Sequence, residues 1–284
     1  MDIRTTYDTP LLTALEQAAP HDHLSLIYET SEDHYTVPIR FMRLGLDQGQ
    51  KCVYIADDGT ERVVRERMHS QGIEVEHAIA THSLVLETKE GAFLKYGSFD
   101  PEWMTTFWQQ ATAEAISQGF SGLRATGETE WILCGAPGLD RWMEYESRLT
   151  EVLADLNCFA LCQYNRQVLP SQIILDVIHT HPTVIYHGVV CRNLYHVPPA
   201  EFLGTNQTDH EAERLLTNIR ERAEIEYTLH QQRNELRALA NRLIHAQDAE
   251  RRRVAQMLHE TTAQNLASAE DAPRETEPNR RQSQ

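Results

Sequence analysis

Short apolar runs alternate with stretches of helical periodicity from residue 20 to residue 203. Runs of strand length lie at 23–29, 51–58, 82–88, 121–128, 158–165 and 183–190. The stretches between them carry apolar residues at helical spacing. The clearest is 100–119, where Asp100 can cap a helix that has Pro101 at its first position. This alternation predicts an α/β domain with a mostly parallel sheet covered by helices on both faces.

The pattern changes near residue 204. All 13 glycines lie between Gly45 and Gly204, and the segment 205–272 contains neither glycine nor proline. That segment is rich in Glu, Arg, Leu, Ala and Gln, which are good helix formers, and Asp209 is a plausible N-cap. The sequence therefore predicts a long C-terminal helix.

Apolar residues along this helix fit a heptad pattern. The a and d positions of one frame contain Leu215, Ile219, Leu229, Leu236, Leu243, Val254 and Met257. The same frame is interrupted by Arg222, Glu226, Arg233, Gln247 and Glu250. We expect an imperfect two-stranded coiled coil and hence a dimer, because so long a helix needs a partner for its apolar side chains. The alternative is a single helix docked on the domain.

Charge and composition narrow the choice of partners. The net charge is −16, and residues 1–208 contain 28 acids and 14 bases against 14 acids and 12 bases in 209–284. An acidic domain without a basic patch predicts no nucleic-acid partner.

The sequence contains no apolar run of about 18 residues, so no membrane span is predicted. The N-terminus lacks the pattern of a secretory signal, and five cysteines without a disulfide framework fit a reduced cytoplasm. A cytoplasmic protein is expected.

The first strand, the loop after it and the following helix have the layout of a RecA/KaiC-like nucleotide-binding core. A phosphate loop there needs Gly-x4-Gly-Lys-Ser/Thr, whose backbone N–H groups and lysine hold the phosphates. The segment YETSEDHYTV (28–37) has no glycine, no lysine and three acids. We therefore expect no ATP or GTP hydrolysis at this loop and predict no cofactor.

Seven short blocks of this region resemble, in order, the MEDS family of sensory domains. The blocks are HLSLIYE, FMRLGLDQGQKCVYIADD, GLRATGETEW, YESRL, ALCQYNRQVLP, HTHPTVI and NLYHVPP. The family is related to RecA- and KaiC-like ATPases, and the resemblance covers 20–203. It implies a sensing domain on a degenerate nucleotide-binding scaffold, coupled to an output module. Small hydrocarbon derivatives are proposed stimuli for some members of the family.

The resemblance also implies a small-molecule pocket. The residues that match the family pattern are Arg124, Glu128, Trp131, Tyr145, Glu146 and Tyr164. Arg124, Glu128, Trp131, Tyr145 and Tyr164 would hold a ligand between an arginine, a carboxylate and aromatic faces. The alternative is an internal Arg–Glu pair with packed aromatic rings that organises the strand ends.

Metal chemistry is not predicted. Cys158 and Cys162 are four residues apart on a predicted strand and point to one face, but no Cys-x2-Cys spacing is present. His179 and His181 are the only clustered histidines that could join them, and His181 before Pro182 is expected to end a helix. Packed cysteines are the simpler interpretation.

The segment ERRRVAQMLHETTAQNL (250–266) resembles the dimerisation and phosphoacceptor helix of NarX/DesK-like sensor histidine kinases. The matching residues are Glu250, Arg251, Arg253, Val254, Ala255, Leu258, His259, Glu260 and Gln264. Met257 stands where a glutamate is usual, and Thr262 where an apolar residue is usual. The resemblance implies His259 as phosphoacceptor, Glu260 as its acid–base neighbour and Gln264 as a residue that handles water or the phosphoryl group. A surface histidine on a charged helix is the alternative.

The predicted organisation has five parts: a lead-in helix (1–19), a sensory domain (20–203), a coiled-coil helix (209–247), a partial phosphoacceptor helix (248–269) and a disordered tail (270–284). No segment of the sequence predicts an ATP-binding domain, so we expect no autophosphorylation by this chain alone.

The expected function is a cytoplasmic two-component sensor of an unknown small ligand. It would act as a homodimer, or as a heterodimer with an intact histidine kinase, and could serve a response regulator. A non-catalytic adaptor with a vestigial histidine is one alternative. An enzyme that uses Glu128 and Arg124 to convert a nucleotide or another small molecule is the other.

Overall fold

The computed structural model describes residues 15, 21–57, 59–205 and 207–270, and for 207 and 264–270 it describes the backbone only. The predicted lead-in helix (1–19), apart from Leu15, and the predicted tail beyond Glu270 lie outside the described residues. The chain divides into two compact units, Met1–Asn218 and Ile219–Gln284.

The first unit is built on a seven-stranded sheet. Its strands are β1 (His23–Tyr28), β2 (Lys51–Ala56), β3 (Leu84–Thr88), β4 (Leu123–Glu128), β5 (Cys158–Asn165), β6 (Thr183–Tyr186) and β7 (Val189–Arg192). The order across the sheet is β3-β2-β4-β5-β1-β6-β7. Every neighbouring pair is parallel except β6 and β7. The predicted mostly parallel sheet is confirmed.

Helices cover both faces of this sheet. They are α1 (Ser31–Asp47), α2 (Glu61–Ser70), α3 (Val75–Ala80), α4 (Pro101–Ser117), α5 (Trp142–Ala154), α6 (Ser171–Thr180) and α7 (Pro199–Phe202). As predicted, Asp100 caps α4: its carboxylate accepts from the N–H groups of Glu102 and Trp103 over 2.9 and 3.1 Å. The predicted α/β class with helices on both faces is therefore confirmed.

Each face of the sheet has its own core, because side chains of a strand alternate between faces. On β4, Leu123 and Ala125 pack with the aromatic residues of α4 and α5, whereas Arg124 faces α1. On β5, Phe159 and Leu161 belong to the core under α1, α2 and α3. On β4 the face toward α1 therefore carries the side chain of Arg124, whereas the opposite face packs against aromatic residues.

The last predicted strand, 183–190, is instead the antiparallel hairpin β6–β7. His187 and Gly188 form its turn, with φ of 47° and 72°. Two successive positive φ values match the tight turn that suits the twist of paired strands, and glycine adopts such values without strain. The chain reverses at His187 because the two residues between the strands can form this turn.

The long C-terminal helix is also confirmed, as α8 (Gln207–Glu270). It begins two residues before the predicted N-cap Asp209. Across the described residues, no helix combines the length and the apolar character that crossing a bilayer requires.

Candidate functional site

Glu128 ends strand β4, and protein donors surround its buried carboxylate. Tyr54 donates its hydroxyl to Oε1 over 2.9 Å. The hydroxyl of Thr60 and the N–H of Asp57 donate to Oε2 over 2.6 and 2.7 Å. His34 Nε2 lies 3.3 Å from Oε1. Burial raises the pKa of Glu128, but the interactions with these neighbours outweigh burial and lower the pKa overall. Glu128 is thus an ionised anchor that ties the end of β4 to the end of β2 and the start of α2.

Arg124, near the start of β4, is a buried cation held by aromatic rings and amides. Its guanidinium carbon lies 4.5 Å from the ring centre of Phe41 and 4.2 Å from that of Phe159. Nε donates to Gln50 Oε1 over 2.6 Å, and Nη2 donates to Gln48 Oε1 over 3.2 Å. Burial lowers the pKa of Arg124 to about 10. The side chain is therefore fixed under α1 by neutral partners.

Trp131 and Tyr145 belong to an aromatic cluster on the other face of the sheet. The Trp131 ring lies 5.0 Å from Phe93 and 5.2 Å from Trp142. Trp108 donates its Nε1 proton to the Tyr145 hydroxyl over 2.7 Å. Such paired rings stabilise a core beyond the area that they bury.

A cavity of about 20 Å³ lies beside this cluster, which is room for one water molecule. The polar and aromatic residues in its wall are Phe93, Trp108, Thr126, Thr129, Trp142, Tyr145, Glu146 and Cys162. Of the five residues predicted to bind a ligand, Tyr145 is the one in this wall. A larger ligand could enter only if neighbouring side chains moved.

Tyr164, near the end of β5, packs among Ile27, Leu169 and Ile174 under α6. Its ring meets that of His181 edge-on at 5.7 Å. Burial raises the pKa of the Tyr164 hydroxyl, and the nearby Glu146 carboxylate raises it further. Tyr164 is therefore a neutral, buried neighbour of the next cluster.

The five predicted pocket residues do not converge on one point. Arg124 and Glu128 share the α1 face but have separate partners at opposite ends of β4, so the structure does not show the internal Arg–Glu pair that is the alternative to a ligand pocket. Trp131, Tyr145 and Tyr164 pack on the opposite face. The sheet itself separates the two groups.

A second constellation, not predicted as a site from the sequence, joins His23 on β1, Glu146 on α5, Cys162 on β5 and His181 just after α6. We call these four residues the interior cluster. Nε2 of His23 and Nε2 of His181 lie 3.2 and 3.3 Å from Oε2 of Glu146. Sγ of Cys162 lies 3.6 Å from His23 Nε2 and 3.7 Å from that same oxygen. These are the atom types that bind transition metals in proteins.

The interior cluster sits in a water-excluded environment. The side chains of His23, Glu146 and His181 have no exposed area. Burial, followed by the neighbouring His181, lowers the pKa of His23 to about 4. Burial alone raises the pKa of Glu146, but the two imidazoles outweigh it and lower the pKa to about 2. The carboxylate is therefore charged at neutral pH and the His23 imidazole is neutral.

Some signals of this cluster are visible in the sequence. Glu146 matches the pattern of the resembling family, and Cys162 and His181 have the right side chains for metal binding but not a spacing that predicts a metal site. His23 gives no local signal, because it lies inside an apolar strand 139 residues before Cys162. The expectation that His181 only ends a helix is incomplete, since its ring also packs into the interior cluster.

Comparison with known proteins places these residues in a family. The family model for the MEDS domain, "MEthanogen/methylotroph, DcmR Sensory domain", matches residues 22–182. The chain belongs to the MEDS family. The match includes both the residues around Glu128 and all four members of the interior cluster. The predicted resemblance to this family is therefore confirmed over residues 22–182.

Two individual proteins are similar to this MEDS protein. The transcriptional repressor DcmR of Methylorubrum extorquens is 25% identical over 164 residues, which cover 57% of this chain and 59% of the repressor. The chain thus spans less than two thirds of that relative. The crystal structure of the flagellar accessory protein FlaH from Methanocaldococcus jannaschii superposes with a TM-score of 0.44 and 14% identity, covering 67% of this chain and 82% of FlaH.

The predicted phosphoacceptor lies outside the matched MEDS segment, on helix α8. The His259 side chain is exposed, and so is that of Glu260, whose Oε1 accepts from Gln256 Nε2 over 3.0 Å. Gln264 belongs to the helix, but its side chain lies outside the described residues. The structure therefore presents His259 on a solvent-facing helical surface.

Proposed function

We propose that this protein is a cytoplasmic sensory regulator of two-component type. Its MEDS domain receives a stimulus, a dimeric helix transmits it, and His259 accepts a phosphoryl group. The observation that carries this proposal is an apolar stripe on α8, formed by Ile225, Leu229, Leu236, Leu239 and Leu243. All five residues belong to the second unit of the chain, and between 47% and 67% of the surface of each is exposed.

The spacing of the apolar stripe favours a second copy of the same helix as its partner. Its members are separated by four, seven, three and four residues, which is the spacing of positions that face the partner in a coiled coil. At about 100° per residue the five side chains fall within one narrow sector of the helix. An identical helix presents an identical stripe, so two copies can cover each other.

In such a dimer, the position of His259 suits it to accept a phosphoryl group. Val254 and Met257 continue the direction of the apolar stripe. His259 follows them by five and two residues, about 140° and 200° around the helix, and so lies on the opposite side. A dimer formed through the stripe therefore leaves the imidazole accessible. Glu260 next to it can accept a proton during attack, as in other sites where a carboxylate activates histidine.

The similarity to a transcriptional repressor does not lead us to propose DNA binding. The 28 acids against 14 bases of residues 1–208 disfavour contact with phosphates. Regulation through protein partners agrees better with this charge. A homodimer, a heterodimer with an intact histidine kinase and a response regulator are the partners that we propose.

The decisive experiment measures transfer of label to His259. The full chain is incubated with labelled ATP and the ATP-binding domain of a NarX/DesK-like histidine kinase supplied in trans. We expect an acid-labile label on the wild type and none on His259→Gln. His245→Gln is the matched control, because His245 is exposed on the same helix 14 residues earlier and falls on nearly the same side.

Other outcomes would assign a different role. A dimer that takes no label with any kinase tested would refute the phosphoacceptor and favour the adaptor with a vestigial histidine. Equal labelling of the wild type and His259→Gln would place the phosphoryl group elsewhere. Binding or turnover of a nucleotide that Glu128→Gln abolishes would favour the enzyme alternative.

A further inference from the structure

The interior cluster gathers lone pairs from four separate parts of the α/β unit. The ligand atoms of His23, Glu146, Cys162 and His181 all lie within 4.8 Å of one another. Strands β1 and β5, helix α5 and the residue after α6 each contribute one side chain. Burying polar atoms whose lone pairs face one another costs free energy. This convergence on one buried point therefore requires a stabilising interaction.

Hydrogen bonds outside the cluster fix where the imidazole protons are. His181 Nδ1 lies 2.8 Å from the carbonyl oxygen of Val177, which can only accept, so Nδ1 carries the proton. Nε2 is then the nitrogen of His181 that can offer a lone pair to a metal ion. His23 makes the equivalent outer contact, with Nδ1 2.9 Å from Thr150 Oγ1. Outer contacts of this kind orient histidines that bind metals.

Two polar atoms of the interior cluster receive no hydrogen bond from the described residues. Nε2 of His181 and Oε1 of Glu146 are buried without a hydrogen-bond partner there. A cation at the centre would accept lone pairs from Nε2 of His181 and from Oε2 of Glu146, the carboxylate oxygen that faces it.

Four of the six distances between the ligand atoms match a tetrahedral site, and the other two are within 4.8 Å. Zinc bonds of about 2.05 Å to nitrogen or oxygen and about 2.3 Å to sulfur place tetrahedral ligands about 3.3 Å apart for N and O, and about 3.6 Å apart when one is S. The His–Glu separations are 3.2 and 3.3 Å, and those of Cys162 Sγ to His23 and Glu146 are 3.6 and 3.7 Å. The side chains could therefore bind the ion with little movement.

We propose that His23, Glu146, Cys162 and His181 bind one Zn²⁺ ion in each chain. On binding, the Cys162 thiol loses its proton to solvent as the zinc–sulfur bond forms. One thiolate and one carboxylate then balance the two positive charges, while both imidazoles stay neutral. A neutral complex is the form best suited to so buried a site. Mixed N, S and O ligands in a tetrahedron favour zinc over magnesium or calcium, which take oxygen ligands.

The site would connect the core to the chain that leads toward α8. The side chain of Asn193 donates to the carbonyl of His181 over 2.8 Å, and the N–H of Val197 donates to the carbonyl of His179 over 2.7 Å. Zinc bound by His181 would therefore fix the segment that follows the hairpin. The proposal concerns the α/β unit and does not depend on phosphorylation of His259.

Cobalt(II) is the spectroscopic probe for this site. The full-length protein is stripped with a chelator and titrated with Co²⁺, and Zn²⁺ is then added as a competitor. We expect one equivalent per chain, a thiolate-to-cobalt charge-transfer band, visible bands of tetrahedral cobalt, and loss of all of them when Zn²⁺ displaces the probe. Elemental analysis should find one zinc per reloaded chain.

Variants separate this site from adventitious binding. Cys162→Ser should abolish the charge-transfer band, and His181→Gln should weaken binding more than about 100-fold, beyond the 10- to 100-fold typical of outer contacts. Thr150→Val removes an outer contact of His23 and should weaken metal binding by about 10- to 100-fold. Cys191→Ser is the matched control, since Cys191 is an exposed cysteine, and it should bind like the wild type.

A wild type that binds no cobalt, or binds it without the charge-transfer band, overturns the proposal without any variant. An unchanged band in Cys162→Ser also overturns it. If Cys162→Ser or His181→Gln unfolds, the wild-type band and a rise in melting temperature on adding Zn²⁺ still decide, because an ion that binds the folded chain stabilises it. No rise at saturating zinc would count against the site.

Discussion

The apolar stripe of α8 predicts that replacing one leucine by aspartate weakens the proposed dimer. Leu236 is the central member of the stripe and is 67% exposed. Fully burying a leucine contributes about 1.5–3 kcal/mol. Covering the exposed two thirds therefore contributes about 1–2 kcal/mol per copy, or about 2–4 kcal/mol per dimer.

Leu236→Asp removes this contribution twice and adds two like charges in contact. At about 1.4 kcal/mol per tenfold, the Kd of the dimer should rise by about 30- to 700-fold before repulsion is counted. Sedimentation equilibrium over a wide dilution series measures that Kd directly. The helical content of the variant, measured by circular dichroism at high concentration, shows whether the α/β unit stays folded.

Tyr227→Asp is the matched control. Tyr227 is 66% exposed on the same helix, and it precedes Leu236 by nine residues, so it lies on the opposite side. It should leave the Kd within about threefold of the wild type, as for a surface substitution worth less than about 0.5 kcal/mol. A wild type that stays monomeric at the highest concentration, or equal effects of the two variants, would refute the reasoning.

Substitutions at three positions test the α/β unit, each by chemical denaturation. Glu128→Gln should lower the free energy of unfolding by about 2–3 kcal/mol at pH 7, because the carboxylate accepts three hydrogen bonds in the interior. The pKa of Glu128 is lowered in the folded chain, so the wild-type advantage should be full above the unfolded pKa of about 4.3 and disappear as the pH falls through the folded pKa. An advantage unchanged at acid pH would contradict this. Asp100→Ala should cost about 1 kcal/mol by removing the cap of α4, whereas Asp100→Asn should cost less. Gly45→Ala should destabilise by about 1–3 kcal/mol despite better helix propensity, because its Cβ would lie 2.6 Å from Cδ of Arg124; a gain in stability would show that the arginine can move.

The sequence predicts the elements of the sheet well because each is encoded locally. Strand β2 is an apolar run with no helical period, and α4 combines a capping aspartate with proline at its first position. The sequence predicts a single strand where the structure has the hairpin β6–β7, because His187 is not a residue that marks a turn with positive φ. Only the glycine after it carried that signal, and one glycine inside a strand pattern also fits a bulge.

The candidate sites were less predictable because they depend on contacts between distant elements. The short sequence RATGE suggested that Arg124 and Glu128 act together, yet four residues of extended strand separate their Cα atoms by about 13 Å. His23 and His181 meet only because β1 lies between β5 and β6 in the sheet. No local sequence pattern specifies the order of the strands in the sheet. Partners for a buried imidazole therefore become visible only when the topology is known.

The start of α1 is closed to phosphate by side chains of the chain itself. A helix that begins directly after a parallel strand is a common place to bind phosphate. Here the Thr30 hydroxyl accepts from the N–H of Asp33 over 3.2 Å, and Glu32 and Asp33 add negative charge in the first turn. Both features satisfy the helix terminus from within the chain and repel polyphosphate. His34 then meets Glu128, so side chains close the carboxyl ends of these strands. On the opposite face, the buried polar atoms that have no hydrogen-bond partner among the described residues include Oε1 of Glu146 and Nε2 of His181, both in the interior cluster.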